Sequence, residues 1–107
     1  MITDEEAIKA AEYLRDNASK DAEAKANAIY LEQWIKTVKA QCQAKHVDMS
    51  VAAREIEALT DEDYIKALEA YKQALIEDSK RRFLREAAHA KLSAWQTMSA
   101  NNRVNIR

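Results

Sequence analysis

The 107-residue chain contains no glycine and no proline. These two residues supply tight turns, positive φ angles and helix breaks, and average usage would give roughly a dozen of them. Without glycine, the usual phosphate-binding loop of nucleotide-hydrolysing and dinucleotide-binding proteins is excluded. The chain has 21 alanines, the best helix former, and 33% charged residues. The composition therefore predicts long, unbroken helices with solvated surfaces.

Cysteine and long apolar runs are also scarce. Cys42 is the single cysteine, which excludes an intramolecular disulfide and makes a reducing, cytoplasmic setting the simplest interpretation. No apolar run approaches the roughly 18 residues that cross a bilayer, so we expect no membrane association. The first residues are acidic, which predicts no signal peptide.

Capping signals predict where the first two helices begin. Thr3 is a candidate N-cap, and Glu6 completes a capping box with it. No strong break follows before the mid-forties, so we predict a first helix over 4–46. Ser50 can cap a second, short helix, which we predict over 50–59.

The last helix has the strongest start signal. Thr60 is a candidate N-cap followed by three acidic residues, which favour the positive end of the helix dipole. We predict this helix over 61–99 and a frayed polar tail over 100–107. The predicted fold is all-α: a long antiparallel, coiled-coil-like helical hairpin with a short connecting helix, in a single domain over 1–107.

Apolar spacing supports pairing of the two long helices. The first helix carries a coiled-coil seam with alternating spacings of four and three: Ala24, Ala28, Leu31, Ile35, Val38 and Cys42. Upstream, a narrower seam is predicted out of heptad phase: Ala7, Ala11, Leu14, Ala18 and Ala22. The last helix has an apolar stripe: Ile65, Leu68, Leu75, Phe83, Ala87, Ala90, Ala94 and Met98.

Charge alternates in blocks along the chain. Net charge is −4 over residues 1–23, +3 over 24–47, −6 over 48–78 and +6 over 79–107. Folding the chain back near residues 48–60 places the second block beside the third and the first beside the fourth, so opposite charges meet, although each surface pair contributes little. A hairpin satisfies this pattern, and an antiparallel dimer of long helices satisfies it equally.

One face of the first helix has more apolar surface than a single seam needs. Tyr30 and Trp34 sit beside the seam at Val38, and Ile29 lies farther round the helix. Exposed apolar patches with aromatic residues mark interfaces, so these four residues are the candidate oligomer or partner interface. Alternatively, the short helix over 50–59 folds over this face, and both can hold.

The poor surface-to-volume ratio of a two-helix hairpin favours oligomerisation. We therefore expect a helical-bundle homo-oligomer, with a dimer favoured.

Basic residues cluster near the start of the last quarter. They are candidate phosphate contacts for nucleic acid: Lys80, Arg81, Arg82, Arg85 and Lys91. The alternative is a salt-paired surface. Glu77 and Asp78 lie one turn before Arg81 and Arg82, and the acidic N-terminal block can neutralise this end.

Two pairs of residues match metal-ligand spacings without completing a site. Cys42 and His46 are four residues apart, but a structural zinc site needs four ligands and Cys42 also fits the seam. Glu86 and His89 match the spacing of carboxylate-bridged di-iron bundles, but they lie on a polar face. We therefore predict no catalytic, cofactor or metal residues, and no enzyme.

Four segments resemble small all-helical proteins of unknown function encoded by tailed bacteriophages and prophages: EYLRDNA, AKANAIYLEQWIKTVKAQ, SVAAREIEAL and REAAHAKLSAWQTMSANNR. In that group a proline often precedes the last helix, and this chain has Glu62 or its neighbours there instead. The resemblance implies a phage origin and an accessory role in the bacterial host cytoplasm. Some relatives are encoded near recombination or replication genes, which favours nucleic-acid contact.

These observations predict a non-enzymatic phage accessory protein that acts as an oligomeric helical interaction or adaptor module, with a protein partner that the sequence does not identify. The alternative is an accessory nucleic-acid-binding factor in phage recombination or replication, which would use the basic face over 80–91.

Overall fold

The computed structural model describes residues 1–106, and the side chains of residues 1–104. Three helices account for most of this part of the chain: α1 is Asp4–Ala44, α2 is Val51–Leu59 and α3 is Glu62–Ile106. The described residues contain no strand, and the predicted all-α fold class is confirmed.

The first helix begins where the capping box predicts. Thr3 Oγ1 accepts a hydrogen bond from the Glu6 backbone N–H at 3.1 Å. The helix ends at Ala44, two residues before the predicted end, because the chain then tightens into i to i+3 turns. There the backbone N–H of Lys45 donates to Cys42 O at 3.3 Å, and that of His46 donates to Gln43 O at 3.1 Å.

Different residues cap the second and third helices. Ser50 is the N-cap of α2, and its Oγ accepts from the Ala53 N–H at 3.2 Å. The prediction that Thr60 caps the last helix is wrong, since Thr60 is the C-cap of α2 and donates its hydroxyl to Glu57 O. Asp61 takes that role instead: its Oδ1 accepts from the Asp63 N–H at 2.9 Å.

The last helix is longer than predicted. It continues to Ile106 through the segment expected to fray after Ser99, and Arg107 lies outside the described residues. Asn101 and Asn102 lower helix propensity less than glycine or proline would, so they do not stop the helix. Polar composition alone was therefore a poor predictor of the helix end.

The chain divides into two compact units: a terminal unit of Met1–Ala22 with Ser79–Arg107, and a turn unit of Glu23–Asp78. In each unit, α1 and α3 run antiparallel. In the terminal unit, Trp95 Nε1 donates to Asp4 Oδ1 at 2.7 Å.

In the turn unit, Lys45 Nζ lies 3.0 Å from Asp61 Oδ2. The helical-hairpin prediction is confirmed, and a single domain over 1–107 stays a prediction.

A heptad seam runs along the buried side of α1. The positions that are buried or half-buried with alternating spacings of three and four are Ala7, Ala10, Leu14, Asn17, Asp21, Ala24, Ala28, Leu31, Ile35, Val38 and Cys42. The predicted seam from Ala24 to Cys42 is confirmed. Upstream the prediction is confirmed for Ala7 and Leu14. It is wrong for Ala11, Ala18 and Ala22, which are exposed, because polar Asn17 and Asp21 occupy seam positions.

The face of α3 that packs on α1 differs from the predicted apolar stripe. Its buried and half-buried positions are Tyr64, Ala67, Tyr71, Ala74, Asp78, Ser79, Arg81, Arg85, Ala88, Leu92, Trp95, Met98 and Ser99. Of the predicted stripe, only Met98 is among them. By contrast Ile65, Leu68, Leu75 and Phe83 are exposed. Mainly alanine, aromatic and charged residues form the contact face. A prediction based on the larger aliphatic residues therefore selects the wrong face of the helix.

Candidate interaction surfaces

The core of the turn unit lies next to the chain reversal. It consists of Val38 and Cys42 from α1, Ala58 from α2 and Ala67 from α3, with Ile35 and Tyr64 packed against it. The short helix therefore packs beside Val38 and Cys42, and the expectation that it covers the aromatic face is wrong.

Ion pairs tie the chain reversal together. Lys45 Nζ contacts Asp61 Oδ2 at 3.0 Å and Asp63 Oδ2 at 3.1 Å, and Lys39 Nζ contacts Glu55 Oε1 at 3.3 Å. The hydrogen bond from Lys45, followed by that from the Asp63 N–H, lowers the pKa of Asp61. The same two carboxylates raise the pKa of Lys45. Ion pairs of lysine side chains therefore hold the chain reversal, which contains no glycine or proline.

Cys42 is a core residue. Its side chain is buried, and this burial raises the pKa of the thiol, with the neighbouring Asp61 carboxylate adding to the effect. A thiol with a raised pKa forms little of the thiolate that metals and electrophiles require. No group of three or more candidate metal ligands occurs among the described residues.

Two aromatic side chains stack on the outside of the turn unit. The Tyr30 and Trp34 rings lie 6.5 Å apart between centroids, with an interplanar angle of 7°. Tyr30 is 62% exposed and Trp34 is 39% exposed. Trp34 borders an open groove of about 390 Å³ between α1 and α3, which we call the aromatic groove, lined by Leu31, Trp34, Val38, Gln41, Asp63, Lys66, Ala67 and Ala70.

The other two predicted interface residues are not exposed beside the aromatic stack. Val38 is only 6% exposed and belongs to the core, so it forms the floor of the groove. Ile29 is 51% exposed, but five residues of helix place it about 140° around α1 from Trp34. Heptad spacing explains both corrections, since Val38 is a seam position and Ile29 lies on the opposite flank.

The α1 flank beside the aromatic groove is free of charge over about five turns. Its exposed positions recur with spacings of three and four: Asn27, Tyr30, Trp34, Thr37, Gln41 and Ala44. We call this the uncharged flank. Interface cores are depleted in charge and enriched in tyrosine and tryptophan, and the uncharged flank has both properties in a chain that is 33% charged.

Two of the predicted nucleic-acid contacts lie in the seam of the terminal unit. Arg81 Nη1 is 3.4 Å from Asp21 Oδ1, and Arg85 Nη1 is 3.1 Å from Asp21 Oδ2. Asp21 is buried. These two arginines therefore follow the salt-paired alternative, with Asp21 of the acidic N-terminal block as their partner.

The remaining predicted contacts do not share one face. Lys80 and Arg82 are two residues apart, which places them about 160° apart around α3. The guanidinium of Arg82 lies over the Phe83 ring, 5.1 Å from its centroid. Lys91 lies on the Lys80 side. The predicted single basic face over 80–91 is therefore wrong, because helical periodicity spreads these cations around the helix.

Two other features concern the Glu86–His89 pair and the hydropathy of the helices. Glu86 and His89 are both exposed, as expected for residues on a polar face. None of the helices in the described part of the chain is both long enough and apolar enough to cross a membrane.

Comparison with known proteins returns no match to a protein-family model, a curated protein or a solved structure. The predicted likeness to phage-encoded helical proteins stays a prediction.

Proposed function

We propose that the protein is a non-enzymatic helical interaction module that dimerises through the uncharged flank and serves as an adaptor or assembly factor. The observation that carries the proposal is the exposed Tyr30–Trp34 stack on this flank. With the sequence resemblance, the proposal extends to an accessory role in a phage-infected bacterial cytoplasm.

The exposed aromatic area is large enough to drive association. A tyrosine or tryptophan buries about 150–250 Å² when fully covered. At the observed exposures, Tyr30 and Trp34 together leave on the order of 200 Å² in water. Covering that area contributes roughly 5 kcal/mol per protomer at about 25 cal/mol per Å², before the entropic cost of association is subtracted.

A second copy of the chain is the occupant that the charge pattern favours. A partner surface against the uncharged flank must itself be poor in charge, since a charge buried there would have no counterion. The same flank on a second copy meets this requirement. In a two-fold dimer each patch contacts its own equivalent, so the aromatic rings of both copies are covered together.

The test is the mass in solution, measured by light scattering after size exclusion over a range of concentrations. We expect twice the chain mass of 12.2 kDa for the wild type, and a shift toward monomer for Trp34→Glu. Ile29→Glu is the matched control, since it adds the same charge at an exposed apolar position on the opposite flank. Circular dichroism shows whether each variant keeps its helices.

A wild-type monomer at the highest concentration would refute the proposal. So would a Trp34→Glu variant that stays dimeric, because a glutamate buried between two copies would be unpaired. If Ile29→Glu alone dissociates the dimer, the interface lies on the other flank.

A further inference from the structure

A second groove lies between α1 and α3 in the terminal unit, and its walls are apolar. It has a volume of about 240 Å³ and is lined by Lys9, Ala10, Tyr13, Leu84, Ala87, Ala88 and Lys91. Ala10 and Ala88 are buried, Tyr13 is half-buried and Leu84 is exposed. The opening has room for one or two apolar side chains, and a lysine stands on each edge.

Two more lysines continue both edges. Lys20 follows Lys9 by eleven residues on α1, and Lys91 follows Lys80 by eleven residues on α3. Eleven residues turn a helix to within about 20° of the same direction and advance it about 16.5 Å. All four lysines are exposed, and each edge of the groove therefore carries two cations on the same side.

The antiparallel register places the two edges opposite each other. Lys9 and Lys91 line the same groove. At the other end, Asp21 contacts Arg81, and these are the sequence neighbours of Lys20 and Lys80. Four lysines therefore stand at the corners of a rectangle that we call the lysine frame. The apolar groove lies at its Lys9–Lys91 end, and the Asp21–Arg81 ion pair lies at the other end.

Two carboxylates near the frame, those of Glu5 and Asp16, are held in exposed local pairs. Lys9 Nζ contacts Glu5 Oε1 at 3.3 Å, one turn away on the same helix. Asp16 shares the groove side of α1 and contacts its neighbour Arg15 at 3.0 Å. Such exposed pairs are weak, so a partner that brings several carboxylates at once displaces the Lys9 pair readily.

We propose that the lysine frame docks an acidic amphipathic helix of a partner protein. An amphipathic helix can lay its apolar face into a groove between two helices, here with an aliphatic side chain beside Leu84 and Tyr13. Carboxylates eleven residues apart on each of its edges would match the lysine spacing. The contact is independent of dimerisation, because it uses residues of the terminal unit alone.

The same lysines also attract phosphates, but the apolar lining of the groove favours a helix from a protein partner. Binding of single-stranded nucleic acid relies on exposed aromatic rings that stack successive bases. The groove contains one aromatic residue, Tyr13, and it is half-buried. Aliphatic Leu84 and the alanines instead suit an aliphatic partner side chain.

Fluorescence anisotropy tests the proposal with three labelled probes and the full chain. The first is a synthetic 18-residue helix of Glu, Leu and Ala with a leucine stripe and glutamates eleven residues apart on both edges. The second replaces every Glu by Lys, and the third is a thymidine oligonucleotide. We expect salt-sensitive binding of the acidic peptide and no binding of the basic one.

Variants then locate the site. Lys80→Glu with Lys91→Glu should weaken binding of the acidic peptide by about tenfold, since like charges would face each other. Leu84→Asn should weaken it through loss of the apolar floor. Lys36→Glu with Lys72→Glu, two exposed lysines of the turn unit, makes the same charge change and should alter binding less than about twofold.

Several results of these experiments would overturn the proposal. Absence of acidic-peptide binding, or equal losses in both double variants, would overturn the proposal. Oligonucleotide binding that is tighter than peptide binding and lost with Lys80→Glu and Lys91→Glu would overturn it in favour of a nucleic-acid site. Each result is read at a concentration of known oligomeric state, so failure of dimerisation remains a separate finding.

Discussion

Replacing Asp21 by alanine should destabilise the protein markedly. The carboxylate occupies a seam position and contacts the guanidinium groups of both Arg81 and Arg85. Alanine would remove the charge that these two cations share and leave them close together within the helix interface. Breaking a buried ion pair from one side is costly, because the remaining charge stays desolvated.

The magnitude follows from the exposure of the three side chains. Removing one member of a fully buried pair costs about 3–5 kcal/mol. The side chain of Asp21 is 8% exposed, but those of Arg81 and Arg85 are 23% and 35% exposed, so water still reaches the cations. We therefore expect a loss of about 2 kcal/mol, which lowers Tm by roughly 10 °C in a chain of this size.

Urea and thermal unfolding followed by far-UV circular dichroism measure this loss. The matched control is Asp16→Ala. It removes an exposed carboxylate that contacts the adjacent, exposed Arg15. It should change the free energy of unfolding by no more than about 0.5 kcal/mol. All variants must be compared at one protein concentration, since dimerisation would make stability concentration-dependent.

Equal stability of Asp21→Ala and Asp16→Ala would refute the reasoning. A triple variant gives a second check: Asp21→Leu, Arg81→Leu and Arg85→Met replace the charges with apolar side chains. Such replacements are often neutral or stabilising, so the triple variant should regain most of the stability lost in Asp21→Ala. If it is less stable than that single variant, desolvated charge is not the cause.

Two further predictions concern the chain reversal. The pKa of Asp61 is lowered in the folded protein, so its stabilisation is present above the unfolded pKa of about 3.9 and is lost as pH falls through the folded pKa. Urea midpoints should therefore decline less on acidification in Asp61→Asn than in exposed Asp48→Asn; equal declines would contradict this. Ser50→Ala removes the α2 N-cap and should cost about 1 kcal/mol in urea unfolding. Exposed Ser19→Ala should stay within about 0.5 kcal/mol, and equal losses would show that the cap is unimportant.

The starts of α1 and α2 were predictable because local effects decide them, whereas the N-cap and the end of α3 were predicted wrongly. A chain without glycine or proline lacks the two residues that disfavour a helix interior most strongly, and side-chain caps such as Thr3 and Ser50 set the starts. The seam from Ala24 to Cys42 was also readable, since every position in it is apolar or small. In that segment, the apolar positions of the sequence pattern are also the positions that are buried or half-buried in the structure.

The packing face of α3 was not predictable in this way. Its contact positions include Asp78, Arg81 and Arg85, and a search for apolar periodicity passes over charged residues. Their burial depends on a partner sixty residues away, since Asp21 supplies the carboxylate for Arg81. Two of the candidate nucleic-acid contacts, Arg81 and Arg85, are held in the seam for this reason.

Exposure of the candidate surfaces was likewise settled by tertiary packing. Sequence singled out Tyr30 and Trp34 as surplus apolar surface, but it left open whether α2 covers them. The position of Ala58 against Val38 and Cys42 answers that question. Local sequence thus determined the helices and their caps, because those interactions lie within a few residues. Only the tertiary structure decided which faces meet, because burial of a charged side chain depends on a counterion that distant residues bring to it.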